Sequence, residues 1–64
     1  MTYQYFKDRE LGNIARMAHG EDGMWGEEWN GKEWVESDSA WDTVSDYMSK
    51  RISEEEAKKA LGIE

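Results

Sequence analysis

The chain has no cysteine, no proline and only one histidine among its 64 residues. Without cysteine, neither disulfide bonds nor thiolate ligands to a metal can stabilise the fold. His19 has no second histidine and no cysteine with which to complete a zinc site or a nucleophile–base pair. Glycoside hydrolysis by two carboxylates would need a substrate cleft that so small a core is poorly able to form. We therefore expect no enzymatic activity, no metal and no cofactor.

Long apolar runs are also missing. No segment is apolar enough over a sufficient length to span a membrane, and residues 1–8 lack the basic-then-apolar order of a signal peptide. We therefore expect a soluble, cytoplasmic protein. Its length predicts one small domain, residues 1–64, with a thin core. Four tryptophans, three tyrosines and one phenylalanine supply much of the apolar surface for that core.

Basic residues are scarce in the middle of the chain. Residues 21–49 contain nine acidic residues against Lys32 alone, a local net charge of −8 in a chain whose total is −7. Such a segment repels nucleic acid and acidic lipid and attracts basic surfaces of other proteins. The simpler interpretation is that the charge only keeps a small domain soluble.

The pair Asn30–Gly31 lies between two aromatic-rich segments, which is a strong signal for a β-hairpin with a two-residue turn. In that register Glu28 lies opposite Glu33, and because like charges destabilise a sheet, the pair hints at a function. The register also places three tryptophans on one face: Trp25, Trp29 and Trp34. We expect at least two of them in the core. Trp29, beside Lys32 at the hairpin tip, is expected to be exposed, with the lysine ammonium over its ring as a cation–π pair. If exposed, it is a good anchor for a protein partner.

The first third of the chain predicts strands. Side chains alternate in Tyr3–Lys7, and Asp8–Gly12 has the composition of a turn. Residues 13–18 fit a second strand, although a helix over residues 9–18 also matches the apolar spacing. Gly12 and Asn13 favour the strand, because they are weak helix formers and suit a turn before it. A polar loop is predicted over residues 19–23.

A first helix is predicted after Val35. Its candidate N-caps are Ser37, Asp38 and Ser39. Apolar side chains then recur at helical spacing: Ala40, Trp41, Val44, Tyr47 and Met48. We expect this face to pack on the sheet, with Trp41 meeting Trp25 or Trp34 across the core.

A second helix is predicted at the end of the chain. Ser53 followed by Glu56 forms a capping box, and Gly62 is a typical stop. Glu54–Glu56 occupies the start of this helix, where a DNA-binding helix would need phosphate contacts, so we expect no direct nucleic-acid binding. The order of elements predicts an α+β fold, a small antiparallel meander of three to four strands followed by two short C-terminal helices packed on one face.

The sharper functional hypothesis concerns the acidic side chains. Residues two apart on a strand lie about 6.6–6.8 Å from each other, so an acidic hairpin can imitate the charges of a nucleic-acid backbone. The expected partner-binding residues are Glu27, Glu28, Trp29, Glu33, Glu36, Asp38, Asp42 and Asp46. Their expected partner is a basic surface of a host protein that normally holds DNA or RNA.

The chain resembles short uncharacterised proteins of Gram-positive bacteria and their phages in an aromatic start and two motifs. These are W-N-G-x-x-W-V over residues 29–35 and I-S-E-E-E-A over residues 52–57. The resemblance spans most of the chain and carries no known activity. It implies a setting in which small phage or prophage proteins bind and block a host factor, as nucleic-acid mimics block restriction or CRISPR nucleases.

Together these observations predict a non-enzymatic, acidic protein-binding module, most concretely an inhibitor that occupies a basic nucleic-acid-binding site. One alternative is an interaction or assembly module that forms a homodimer or larger oligomer through exposed tryptophan and tyrosine. Another is a small regulatory subunit of an enzyme without mimicry. Salt dependence distinguishes the inhibitor from the assembly module, because charge-driven binding weakens as the salt concentration rises and apolar self-association does not.

Overall fold

The computed structural model describes residues 1–63, which form a five-stranded antiparallel sheet and two helices. In chain order the elements are β1 (Thr2–Asp8), β2 (Ile14–Gly20), β3 (Gly23–Trp29), β4 (Trp34–Glu36), α1 (Asp38–Ser45), β5 (Ser49–Ile52) and α2 (Glu54–Leu61). The predicted α+β class, with helices packed on an antiparallel meander, is confirmed.

The strands lie side by side in the order β4, β3, β2, β1, β5. Strands β1 to β4 form the meander, and β5 pairs with the other side of β1, from Tyr5 opposite Ile52 to Asp8 opposite Ser49. The sequence pattern does not reveal β5. This strand has only four residues, two of which are charged, so it shows too little apolar alternation to be recognised.

The turn between β1 and β2 is held by one carboxylate. Asp8 Oδ1 accepts hydrogen bonds from the backbone N–H groups of Glu10 (2.8 Å) and Leu11 (3.2 Å). Gly12 completes the turn with a φ of 77°, in the left-handed region that glycine tolerates. The predicted turn is confirmed, and so is the strand assignment for the following residues. His19 lies in β2 opposite Thr2 rather than in the predicted loop.

The hairpin between β3 and β4 differs from its predicted register. Trp29 pairs with Trp34 and Glu28 with Val35, so the loop has four residues instead of two. Asn30 Oδ1 accepts from the backbone N–H groups of Lys32 and Glu33, both at 2.8 Å, which closes this wider loop. The predicted Glu28–Glu33 pair is therefore wrong, and the functional hint drawn from it is removed.

Both helices begin at serine N-caps. Ser37 Oγ accepts from the Ser39 backbone N–H at 3.2 Å, and Ser53 Oγ accepts from the Glu56 N–H at 3.1 Å. Gly62 ends α2 with a φ of 74°, as predicted.

The first helix is shorter than its apolar spacing predicts. It ends at Ser45, so Tyr47 and Met48 lie beyond it in the turn that leads to β5. Tyr47 is 91% exposed and does not contribute to the core.

The two helices lie on opposite faces of the sheet. On one face α2 packs Ala57 and Leu61 against a small core cluster, whose strand residues are Tyr5, Ile14 and Ile52. The strand registers place these three side chains on the face opposite to Gly26, and Gly26 lies under α1. The prediction that both helices share one face is wrong in that detail. Strands β4 and β5 are opposite edges of the sheet, and α1, which lies between them in the chain, covers the face opposite to α2.

Candidate protein-binding surface

The eight predicted partner-binding residues do not form one surface. Three are half-buried, namely Glu27, Glu28 and Trp29, and five are exposed, namely Glu33, Glu36, Asp38, Asp42 and Asp46. Strand alternation places Glu27 and Glu28 on opposite faces of β3.

Glu27 is bound within the protein. Its Oε1 accepts from Arg16 Nε at 2.7 Å, and its Oε2 accepts from Trp25 Nε1 at 2.7 Å. The side chains of Arg16 and Glu27 are each only 14% exposed. Both oxygens of this carboxylate are thus occupied, and the geometry indicates a structural role rather than contact with a partner.

Arg16 also lies between aromatic rings. Its guanidinium carbon is 3.8 Å from the centre of the Tyr3 ring and 4.4 Å from the centre of the Trp34 ring. These are cation–π distances. The cation–π pair predicted between Lys32 and Trp29 is not the one that forms in residues 1–63, because the wider hairpin loop carries Lys32 away from a position opposite Trp29.

Glu28 and Trp29 line a cleft of about 390 Å³ at one end of the sheet, together with Ser39 and Thr43 of α1 and Leu61 of α2. The Trp29 ring meets the Trp34 ring edge-on, with centres 5.7 Å apart. Trp29 is therefore part of the packed aromatic cluster and is a weaker candidate for a free anchor than the sequence indicates.

Four exposed carboxylates follow one another along the hairpin loop, β4 and α1. We call them the acidic edge: Glu33, Glu36, Asp38 and Asp42. Asp38 and Asp42 are one helical turn apart, which puts their Cβ atoms about 5–6 Å from each other. Within residues 1–63 none of the four takes part in an ion pair. The acidic edge therefore presents unneutralised charge to solvent.

Asp46 stands apart from the acidic edge. It follows the last residue of α1, and its Oδ1 accepts from the Met48 backbone N–H at 2.9 Å. This carboxylate stabilises the turn into β5, although it remains exposed.

A groove of about 270 Å³ adjoins the acidic edge. We call it the Trp41 groove, and its lining residues are Met24, Trp25, Gly26, Glu36, Ser37, Asp38 and Trp41. Two of its large apolar side chains are unusually accessible, since Trp41 is 40% exposed and Met24 is 52% exposed. Two carboxylates of the acidic edge, on Glu36 and Asp38, line the same groove. Apolar and anionic groups are thus combined at one place.

The position of Trp41 corrects a prediction. The aromatic pairs in the described part of the chain are Tyr5–Trp34 and Trp29–Trp34, and Trp41 is in neither of them. Its backbone instead lies close to Gly26 of β3. Neither Met24 nor Trp41 is among the site residues that the sequence predicts. The available signal was Gly26, because a glycine inside a strand often marks a close approach of another backbone.

Within residues 1–63, the structure shows neither a candidate metal site nor a candidate membrane-spanning helix. In that part of the chain no group of three or more histidine, cysteine, aspartate or glutamate side chains is placed to hold a metal ion. No helix there has both the length and the apolar character needed to cross a membrane. No protein-family model, curated protein or solved structure matches the chain.

Proposed function

We propose that the protein is a non-enzymatic binding module that presents the acidic edge and the Trp41 groove to a basic surface of a partner protein. The observation that carries the proposal is a 40%-exposed tryptophan in a groove that is also lined by two carboxylates without an ion pair in residues 1–63. Tryptophan is enriched among the residues that dominate binding energy at protein interfaces.

Charge and apolar contact have different roles in this proposal. Residues 21–49 carry a net charge of −8, so a basic partner is attracted over a distance and its association rate falls as salt rises. Burial of Trp41 and Met24 then stabilises the complex after it has formed. A matching partner has an apolar side chain flanked by lysine or arginine.

The more specific form of the proposal is inhibition by nucleic-acid mimicry in the cytoplasm of a bacterial host. Regularly spaced carboxylates such as Asp38 and Asp42 can occupy sites that otherwise hold successive phosphates. The resemblance to small phage and prophage proteins is consistent with a protein that blocks a host nuclease or another nucleic-acid-binding protein. The carboxylates that remain available for this role are those of the acidic edge, since Asp46 is engaged in the turn into β5.

The proposal is tested by capture of partners from a Gram-positive host lysate, with elution by a salt gradient. We expect a nucleic-acid-binding protein that salt releases and that DNA or RNA displaces. A triple variant, Glu36→Gln, Asp38→Asn and Asp42→Asn, should lose it. The matched control is Glu10→Gln, Glu21→Gln and Glu55→Gln, which removes the same charge from exposed positions elsewhere. Equal loss of partner binding in both variants would show that the acidic edge acts only through the net charge of the protein.

A second candidate function is self-association through apolar side chains. Six large ones are exposed within residues 1–63: Met1, Tyr3, Leu11, Met24, Trp41 and Tyr47. This candidate predicts a dimer or larger species in light scattering that persists in high salt. Capture of only the protein itself from the lysate, together with such an oligomer, would favour it over mimicry.

A further inference from the structure

Three cations surround an open cleft of about 360 Å³ at the β1–β5 side of the sheet: Lys7, Arg9 and Lys50. This cluster is independent of the proposed function, because β5 is the edge strand opposite to β4 and its acidic residues. The whole chain has only eight basic residues against fifteen acidic ones. Three of these eight basic residues are thus grouped around one cleft.

Two of the cations face each other directly. Lys7 of β1 is the register partner of Lys50 of β5 in an antiparallel pair. Their side chains leave the sheet on the same face, with Cβ atoms about 4.5–5.5 Å apart, and like charges in that position destabilise the pairing. The sheet also pairs Glu27 with Glu36, but Arg16 binds Glu27, whereas neither lysine has a counter-ion within residues 1–63.

Arg9 is held beside the lysines by the backbone. It follows β1 directly, and its N–H donates to the carbonyl oxygen of Met48, just before β5, at 3.2 Å. This bond ties the start of the turn to the β5 side of the cleft. The planar guanidinium can bind an oxyanion through two parallel N–H groups, and the lysines add two mobile point charges.

No carboxylate within residues 1–63 lines the cleft to neutralise these charges. Asp8 is next to both Lys7 and Arg9 in the chain, but it is buried and its Oδ1 accepts two backbone N–H groups of the turn. Glu10 is exposed and does not line the cleft. Within residues 1–63, none of the three cations forms an ion pair.

We propose that Lys7, Arg9 and Lys50 form a binding site for a small soluble polyphosphate. A ligand with two or more negative charges would relieve the repulsion between the lysines and would supply acceptors for all three side chains. A long polyanion or an anionic membrane fits less well, because its remaining charges would face a chain of net charge −7.

Pyrophosphate is the probe for this site. Calorimetric titration at constant ionic strength should show one binding site in the full chain. The double variant Lys7→Gln/Lys50→Gln should weaken that binding by about tenfold or more, since it removes two charge-assisted contacts. The matched control, Lys32→Gln/Lys59→Gln, removes two lysines that do not line the cleft and should bind as the unmodified protein does.

A second readout depends on the repulsion itself. Without ligand, Lys50→Gln should raise the thermal midpoint slightly, whereas pyrophosphate should raise the midpoint of the unmodified protein more than that of the variant. In a heteronuclear NMR titration the amides of residues 7–9 and 49–51 should shift first.

Three results would overturn the proposal. One is the absence of pyrophosphate binding at millimolar concentration in a chain shown to be folded. Another is equal weakening in the two double variants, which indicates a general response to charge. The third is binding to anionic vesicles or to DNA without binding to pyrophosphate.

Discussion

Gly26 of β3 lies directly against the backbone of Trp41 in α1. A Cβ atom at position 26 would stand 2.7 Å from the Trp41 nitrogen and 2.9 Å from its Cα. Because the backbone fixes the position of a Cβ atom, no change of rotamer could relieve this clash. The glycine therefore sets the distance between α1 and the sheet, and with it the position of the Trp41 groove.

Gly26→Ala should consequently destabilise the fold by about 1–3 kcal/mol, the usual cost of overpacking. The free energy of unfolding in urea measures the effect. Gly20→Ala is a suitable control, because a Cβ there would meet side-chain atoms of Met1 and Trp25 at 3.4 Å, an ordinary contact distance. An equal loss of unfolding free energy in both variants would show that the contact between Gly26 and the α1 backbone does not set the position of α1.

The Arg16–Glu27 pair leads to a second prediction. Glu27→Gln should lower the free energy of unfolding by about 1–2 kcal/mol, because it removes a charge-assisted hydrogen bond beneath the aromatic rings. Glu36→Gln provides the comparison, since Glu36 is the cross-strand partner of Glu27 and is exposed. We expect that variant to stay within about 0.5 kcal/mol of the unmodified protein. If Glu36→Gln proves the more damaging change, the structural role given to Glu27 is wrong.

The tryptophans are expected to separate into structural and binding residues. Trp34 meets Tyr5, Trp29 and Arg16, so Trp34→Ala should cost about 3–5 kcal/mol of stability. Trp41→Ala should cost clearly less, because 40% of this residue is already exposed. Urea unfolding followed by circular dichroism compares the two without dependence on tryptophan fluorescence. Similar losses would indicate that Trp41 is a core residue and would weaken the proposed function.

How far the sequence predicts the fold depends on the kind of signal. The Asn-Gly pair predicts the β3–β4 hairpin correctly but predicts a two-residue turn. The Asn30 side chain instead stabilises a loop of four residues. The resulting shift of two residues preserves strand parity, so Trp25, Trp29 and Trp34 still share a face. Helix caps at Ser53 and Gly62 are local features and were predictable for that reason. The pairing of β5 with β1 joins distant segments and left little trace in local composition.

The candidate surface was predictable in its charge and not in its shape. Exposed carboxylates at Glu33, Glu36, Asp38 and Asp42 follow from composition, whereas the internal role of Glu27 depends on Arg16, eleven residues away. The exposure of Trp41 depends on which face of the sheet α1 crosses. Apolar spacing does not specify that face, because β4 and β5 are opposite edges of the sheet and a connection between them can cross either face.

The final prediction separates the two parts of the proposed surface by kinetics. With a captured basic partner, the Glu36→Gln, Asp38→Asn and Asp42→Asn variant should associate more slowly at low salt, because charge mainly sets the encounter rate. The difference should disappear at about 1 M salt, where the screening length falls to about 3 Å. Trp41→Ala should instead leave association nearly unchanged and speed dissociation, as is usual when an apolar anchor is removed. Surface plasmon resonance over a salt series measures both rates. If Trp41→Ala alters only the association rate, the Trp41 groove does not anchor the partner. If the charge variant alters only the dissociation rate at every salt concentration, the acidic edge does not steer the encounter.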